Sequence, residues 1–480
     1  MTYEAVIGIE THVELLTRSK MFCGCPTGFG AEPNTNVCPV CLGLPGALPV
    51  PNERAVEWTI TLGLALDCAI APHSVFHRKN YFYADLPKNY QISQFDLPLC
   101  VGGHLDVDAG TSVRRVGITR VHLEEDTGKS THLGGSGRIH AAEGALVDFN
   151  RSGIPLMEVV TEPDIRSPEE ARAYATELRS IVLALGISDA RLEEGSLRFD
   201  ANVSLRPEGS QPLGTKVEVK NMNSLRSLQR ALAFEIDRQT AVLASGGSVA
   251  QETRHWDEEA GRTESGRSKE ESSDYRYFTE PDLVPLAVGP DLLDRLRSTI
   301  PELPAARRAH YVAAGVDEAA ARTLVAGGLE RVFDDAVSAG APARQAAVWL
   351  TGEVTAHLNR TDQNPEALLL DGAGLAELVA MVDNREVSAT AAKDVLSGVL
   401  AGEGSPRRVA EARDLLQISD AGALSAVVDE MLAAHAEVAE RIRGGESRLV
   451  GFLVGQVMKA TGGKADPKAV DALIRERTGA

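Results

Sequence analysis

Aromatic residues make up only 5% of this 480-residue chain, so Leu, Val, Ile and Ala must build most of its core. No uninterrupted apolar run approaches the ~18–20 residues of a membrane span, and none is expected. The opening Met1-Thr2-Tyr3-Glu4-Ala5 has neither a basic nor an apolar targeting segment, so a cytoplasmic protein without membrane contact is expected. A phosphate-binding loop is also missing. Gly128-Lys129-Ser130 looks like the end of one, but Leu123 stands where that motif needs its first glycine. With no Gly-x-Gly-x-x-Gly fingerprint either, any ATP chemistry here must run through carboxylates and metal. Positive charge is in deficit: the net charge is -19, which argues against a uniformly basic nucleic-acid surface. From Arg441 onward, however, eight basic residues face four acidic ones, leaving +4 in that segment. Phosphate contact and ordinary solvated helix faces account for this equally well.

What is present is ordinary for a soluble globular protein, with 43% hydrophobic and 24% charged residues. The length suits about three domains. Residues 1–292 mix alternating strands, Gly/Pro turns and helices, giving an α+β unit. One helix is expected from Ser167, its cap, to Leu185, and another from Leu225 to Leu243. Beyond 293 strand signals cease and Ala-rich helices follow, one capped by Ser388. Gly402 to Pro406 reads as a linker or hinge, dividing a 293–406 helical domain from a 407–480 tail. In that tail Leu424, Val427, Val428, Met431 and Leu432 form a helical apolar stripe.

Three strands are apolar on one face and ionic on the other. Ile7, Ile9, Val13 and Leu15 oppose Glu10, His12 and Glu14. Leu197, Phe199, Ala201 and Val203 oppose Arg198, Asp200, Asn202 and Ser204, while Val217 and Val219 oppose Glu218 and Lys220. For one strand this is the usual mark of a half-exposed antiparallel sheet. Three such strands bearing carboxylates and an imidazole point to divalent metal, with Lys and Arg available for phosphate. His12 suits Mn2+ better than Mg2+, unless it acts through water. His122-Leu123-Glu124-Glu125-Asp126 adds a second acidic group. Alternation puts Glu124 on the ionic face and turns Glu125 away unless the strand ends there, so the choice between the two stays open.

Cys23-Gly24-Cys25 and Cys38-Pro39-Val40-Cys41 have the spacing of a closed four-cysteine Zn2+ site, with reduced structural cysteines as the alternative. Cys68 and Cys100 lie among apolar residues and read as core.

Longer strings, taken in order, resemble one family. They include Ile9-Glu10-Thr11-His12-Val13-Glu14-Leu15, the run from Lys79-Asn80-Tyr81 through Lys88-Asn89-Tyr90 to Gln94, and His122 to Asp126. Asn150-Arg151-Ser152-Gly153-Ile154-Pro155-Leu156, Lys216 to Ser224, Arg267-Ser268-Lys269-Glu270, Asp274 to Phe278 and Val454 to Lys459 continue it. Together they resemble the GatB family over essentially the whole chain. That resemblance implies a cradle-shaped catalytic domain of glutamine synthetase and guanidino kinase type, then a helical domain and a YqeY-like tail in contact with tRNA. It implies a ligase that uses ATP and Mg2+ to amidate Glu-tRNA(Gln) or Asp-tRNA(Asn) through a side-chain acyl phosphate. Ammonia would come from a glutaminase partner, GatA, with a small subunit, GatC. It assigns metal binding to Glu10, His12 and Glu124 or Glu125, with Asp200, Asn202 and Glu218 as further participants. Lys79, Lys88 and Lys220 would contact phosphate or carboxylate, against surface salt bridges as the plain alternative.

Overall fold

The alternation in the first dozen residues becomes the central strand of a nine-stranded sheet. The structure is a computed structural model describing residues 2–110, 113–133, 143–266, 272–361, 363–417 and 421–480. The central strand, Tyr3–Glu14, pairs antiparallel with Leu197–Pro207 on one side and Pro155–Thr161 on the other. Beyond Pro155–Thr161 lie Val113–Glu125, Cys100–Asp108 and Ala69–Ile70. Beyond Leu197–Pro207 lie Val217–Lys220, Thr253–Asp257 and Arg262–Ser265. Among the described residues the one parallel pairing in this sheet joins Val217–Lys220 to Thr253–Asp257.

Ile7, Ile9, Val13, Phe199, Ala201 and Val203 share one core with helices Glu53–Ala65, Pro168–Ala184 and Leu225–Ala244. Each helix starts where a cap dictates. The side chains of Asn52, Ser167 and Ser224 accept from the amides of Ala55, Glu170 and Ser227, and Pro168 fills a first-turn position that needs no N–H. Covering the apolar face fixes register, because a one-residue slip would turn every core side chain outward. The ionic face is thereby left for chemistry. A smaller three-stranded sheet, Phe278–Thr279, His77–Asn80 and Tyr90–Ser93, carries Lys79. Lys129–Leu133 is a strand paired with Gly144–Asp148, so Gly128-Lys129-Ser130 does not open a helix as a phosphate loop requires.

The chain divides into two compact units, Met1–Pro304 and Ala305–Ala480, and the helix Pro290–Thr299 belongs to the first. The first unit is α+β; the second is all helix among the described residues. Two cores occupy the second unit. One gathers Leu324, Phe333, Leu350, Leu378 and Leu396; the other gathers Leu424, Val428, Leu453, Val457 and Ile474. Gly402 to Pro406 is not the linker that its composition indicates. Gly402 and Gly404 have positive φ, Ser405 caps the helix Pro406–Ala412, and Val409 and Ala410 of that helix are buried in the first of these cores. The change of core falls between Leu416 and Leu424.

Candidate active site

Sheet register lines up a charged row across four strands. His122 stands opposite Glu158, Glu158 opposite His12, and His12 opposite Arg198. His12 Nε2 lies 3.9 Å from both the Glu124 and Glu158 carboxylates, while His122 Nε2 lies 3.2 Å from Glu158. One donor atom from each of His12, Glu124 and Glu158 falls within 4.8 Å of the others. Burial works against charge on Glu158, but the neighbouring His122, then His12 and Lys79, hold its carboxyl well below the usual range. The half-buried Lys79 ammonium stays protonated despite its desolvation, because Glu124 and Glu158 face it; it lies 4.9 Å from the Tyr275 ring centre. Two carboxylates and an imidazole under a nearby ammonium form a donor set fit for a divalent cation bearing phosphate, with the imidazole favouring Mn2+.

The other expected residues fall around this triad. Glu10 accepts from the Asn202 amide at 3.0 Å and lies outside the cluster. Asp200 pairs with Lys220 at 2.5 Å, which leaves Lys220 3.6 Å from Glu218; Glu218 also accepts from the Thr253 hydroxyl at 2.7 Å. The triad takes Glu124 and not Glu125, whose carboxylate binds the Lys88 ammonium and accepts from the Ile92 amide at 2.9 Å. Lys88 is thus buried and committed, whereas Lys79 faces the triad. Next along the first strand, Arg198 joins Glu14 at 3.2 Å to Asp126 at 2.9 Å, with Arg151 3.7 Å from Asp126. Arg267 to Glu270 lie outside the described residues.

The knuckle brings Cys23, Cys25, Cys38 and Cys41 together within ligand reach, and all six cysteines are free thiols. Cys41 Sγ accepts from the Cys38 amide at 3.1 Å. The Cys23 thiol hydrogen bond, helped by that amide and by Lys20, draws the Cys41 thiol down towards thiolate. A thiolate is the form that binds zinc.

Residues 5–294 match the family model of the GatB/GatE catalytic domain, and residues 331–477 that of the GatB domain. The B subunit of the aspartyl/glutamyl-tRNA(Asn/Gln) amidotransferase of Frankia casuarinae is 54% identical over 484 residues, covering 99% of this chain and 96% of its own. The same-named proteins of Salinispora arenicola and Moorella thermoacetica are 52% and 51% identical, covering 100% and 99% of this chain and 97% and 100% of their own. The chain belongs to the GatB family.

Glu158, which completes the triad in this GatB-family chain, is not among the residues nominated from sequence. Its signal was there. In Pro155-Leu156-Met157-Glu158-Val159-Val160 it is the lone charge in an apolar run, and alternation against the core residues Met157 and Val159 sends it to the ionic face. Among the described residues no helix is long and apolar enough to cross a membrane.

Proposed function

We propose that this chain amidates glutamate or aspartate wrongly attached to tRNA(Gln) or tRNA(Asn), using ATP, and that the ionic sheet face is where the substrate carboxylate is activated. The observation that carries this reading is the His12, Glu124 and Glu158 cluster beside Lys79 in a GatB-family chain. A carboxylate is a poor acyl donor because oxide is a poor leaving group. Its oxygen attacks the γ-phosphorus of ATP, the bond to the β-phosphate oxygen breaks, and ADP leaves. Ammonia then attacks the acyl phosphate carbon, phosphate departs with the C–O bonding pair, and the amide nitrogen gives up a proton.

The residues divide this work. His12, Glu124 and Glu158 would hold Mg2+ or Mn2+, which when bound supplies neutralisation of phosphate charge. Lys79 contributes a fixed positive charge beside them. Glu10, Asn202, Asp200, Glu218 and Lys220 form a hydrogen-bonded rim that orients substrate, and Lys88 with Glu125 fixes the opposite wall. The sheet with its covering helices supplies the floor of a cradle related to glutamine synthetase. Zn2+ at the four cysteines serves structure, since a four-thiolate sphere leaves no open position. Ammonia comes from a GatA glutaminase, and GatC completes the assembly.

The test is reconstitution with those partners, each misacylated tRNA, ATP and glutamine. Glu158→Gln and His12→Ala should slow acyl-phosphate formation at least about a hundredfold while glutamine hydrolysis by the partner persists. Wild-type phosphorylation rates in both variants would overturn the assignment. Metal analysis should find about one zinc per chain, lost in Cys38→Ser together with thermal stability.

A further inference from the structure

An unbroken chain of contacts joins the four-cysteine knuckle to the metal triad. The turn after Cys38 closes with the Gly43 amide donating to the Val40 carbonyl at 3.0 Å. Gly43 has φ of +66°, and a β carbon there would stand 2.3 Å from Lys88 Cγ and 3.2 Å from Lys88 Cα. The knuckle backbone is therefore the wall against which the Lys88 side chain lies. Lys88 binds Glu125, both side chains being almost wholly buried.

Glu125 is tied in turn to the strand Tyr90–Ser93. Its carboxylate accepts from the Ile92 amide at 2.9 Å, and its carbonyl accepts from the Gln91 side chain at 2.7 Å. Ser93, on the same strand, donates its hydroxyl at 3.3 Å to Glu124 of the triad. One short strand thus grips two consecutive glutamates, one tied to the knuckle and one to the metal site. A second contact closes the loop: a β carbon at Gly153 would lie 3.4 Å from Lys20 Cδ, 3.6 Å from Cys41 Cβ and 3.9 Å from Glu125 Oε2. A cavity walled by Lys20, Cys23, Cys41, Gly43, Lys88 and Glu125 lies between them.

We infer that the knuckle is a positioning element for the metal triad: metal at the cysteines holds the Cys41–Gly43 wall, the wall holds Lys88 on Glu125, and the shared strand Tyr90–Ser93 sets Glu124. This rests on the metal-triad reading of the proposed function. Four metal–sulfur bonds remove the conformational freedom of a Gly- and Pro-rich turn that has little core of its own. Freeing that turn lets Lys88 leave, and Glu125 then has a buried charge without its counterion. Gly43 and Lys88 act through Glu124 and are positioning residues. The coupling runs both ways, because linkage between two sites is reciprocal.

The experiment measures Mn2+ binding to the full-length chain by loss of the free-ion paramagnetic resonance signal, with His12→Ala defining the share due to the triad. Three further variants separate the causes. Cys38→Ser/Cys41→Ser removes the knuckle metal, and Gly43→Ala drives a methyl into Lys88. Gly46→Ala imposes a positive-φ alanine (φ +86°) in the same knuckle, but with nothing within 4 Å of the new carbon. Gly43→Ala should keep its zinc, and it and the double cysteine variant should bind Mn2+ about fivefold more weakly or worse, while Gly46→Ala matches wild type. In cobalt-substituted protein, Mn2+ with ATP should shift the visible thiolate–cobalt bands of wild type and leave those of Gly43→Ala in place.

Gly43→Ala within about twofold of wild type would overturn the coupling, and so would an equal loss in Gly46→Ala, which would mark backbone strain as the cause. If the double cysteine variant does not fold, the two glycine variants decide. A wild type without His12-dependent Mn2+ binding would overturn the triad reading itself, a result distinct from a triad that binds but ignores the knuckle.

Discussion

The ionic face of the first unit and the basic tail of the second are both charge-rich, but they use their charge differently. On the sheet, backbone register gathers His12, Glu124 and Glu158 around one point, and the Lys79 ammonium of the smaller sheet interacts with the two carboxylates. In the tail, six of the eight basic side chains counted from sequence already lie beside a carboxylate. Arg441 meets Glu446 at 2.8 Å, Arg475 meets Asp471 at 2.6 Å, Arg477 meets Asp429 at 3.0 Å, and Arg448 lies 3.7 Å from Glu446. Arg443 pairs with Glu440 and Lys464 with Asp414. Among the described residues, Lys459 and Lys468 are the two basic side chains of this segment that form no ion pair. Charge counted along a segment is not a field; what matters is whether the fold leaves opposite charges within reach.

The largest test of this contrast is at the triad. His12→Ala and Glu158→Gln should each slow acyl-phosphate formation at least about a hundredfold, near 2.7 kcal/mol of barrier, in single-turnover assays. Glu10→Gln, outside the cluster, should cost less than about tenfold. If the Glu10 variant proves the more damaging, the metal sits nearer Glu10 than the geometry places it.

Next in size is the pairing that backs the triad. Arg198→Leu leaves Asp126 without its closest cation, and should lower unfolding free energy by about 3 kcal/mol in denaturant titration. That is the low end for a broken buried pair, because the Arg198 side chain keeps 30% exposure. A loss below about 1 kcal/mol would class it with surface pairs instead.

The tail should respond weakly and selectively. Lys459→Gln/Lys468→Gln should weaken tRNA binding several-fold and lower its salt slope by roughly 0.7–0.9 for each phosphate no longer neutralised. Arg475→Gln, already neutralised by Asp471, should leave both unchanged in filter-binding titrations. The reverse ranking would show that the ion pairs open when RNA arrives.

Smallest of all is the response of the two core cysteines. Burial, reinforced by Asp67, pushes the Cys68 thiol up to about 12, and burial first of all takes Cys100 well up too. Alkylation at pH 8 should spare both in native protein, whereas chelation should open Cys23, Cys25, Cys38 and Cys41. Labelling of Cys68 at the same rate as the knuckle would refute this.

Much of the fold was legible because it depends on local rules. The caps at Ser167 and Ser388 lie where the sequence puts them, the helix expected from Leu225 starts there, and the alternation from Ile7 to Val13 sorts core from ionic face correctly. The knuckle was legible because its ligands come in two short motifs. The triad was only partly legible: sequence nominates His12 and Glu124 or Glu125 but not Glu158, and which strands adjoin is a long-range fact. Lys88 and Lys79 look equivalent along the chain, and only the fold shows one buried against Glu125 and the other facing the triad. Gly402 to Pro406 misled because glycine and proline mark a turn, and a turn inside a packed core has the same composition as a linker.

The row His122, Glu158, His12, Arg198 has a bearing on how the sheet finds its alignment. Sliding one strand by two residues, about 7 Å, keeps every apolar side chain on the covered face, so core burial barely tells the right pairing from that error. The charges do tell them apart. Moved by two along Leu197–Pro207, His12 would face Asp200 in place of Arg198, and Glu14 would come to stand opposite Arg198. The groups that make the site are thus also the marks by which neighbouring strands are matched, and a divalent cation added during refolding should favour the correctly aligned sheet over its shifted copies.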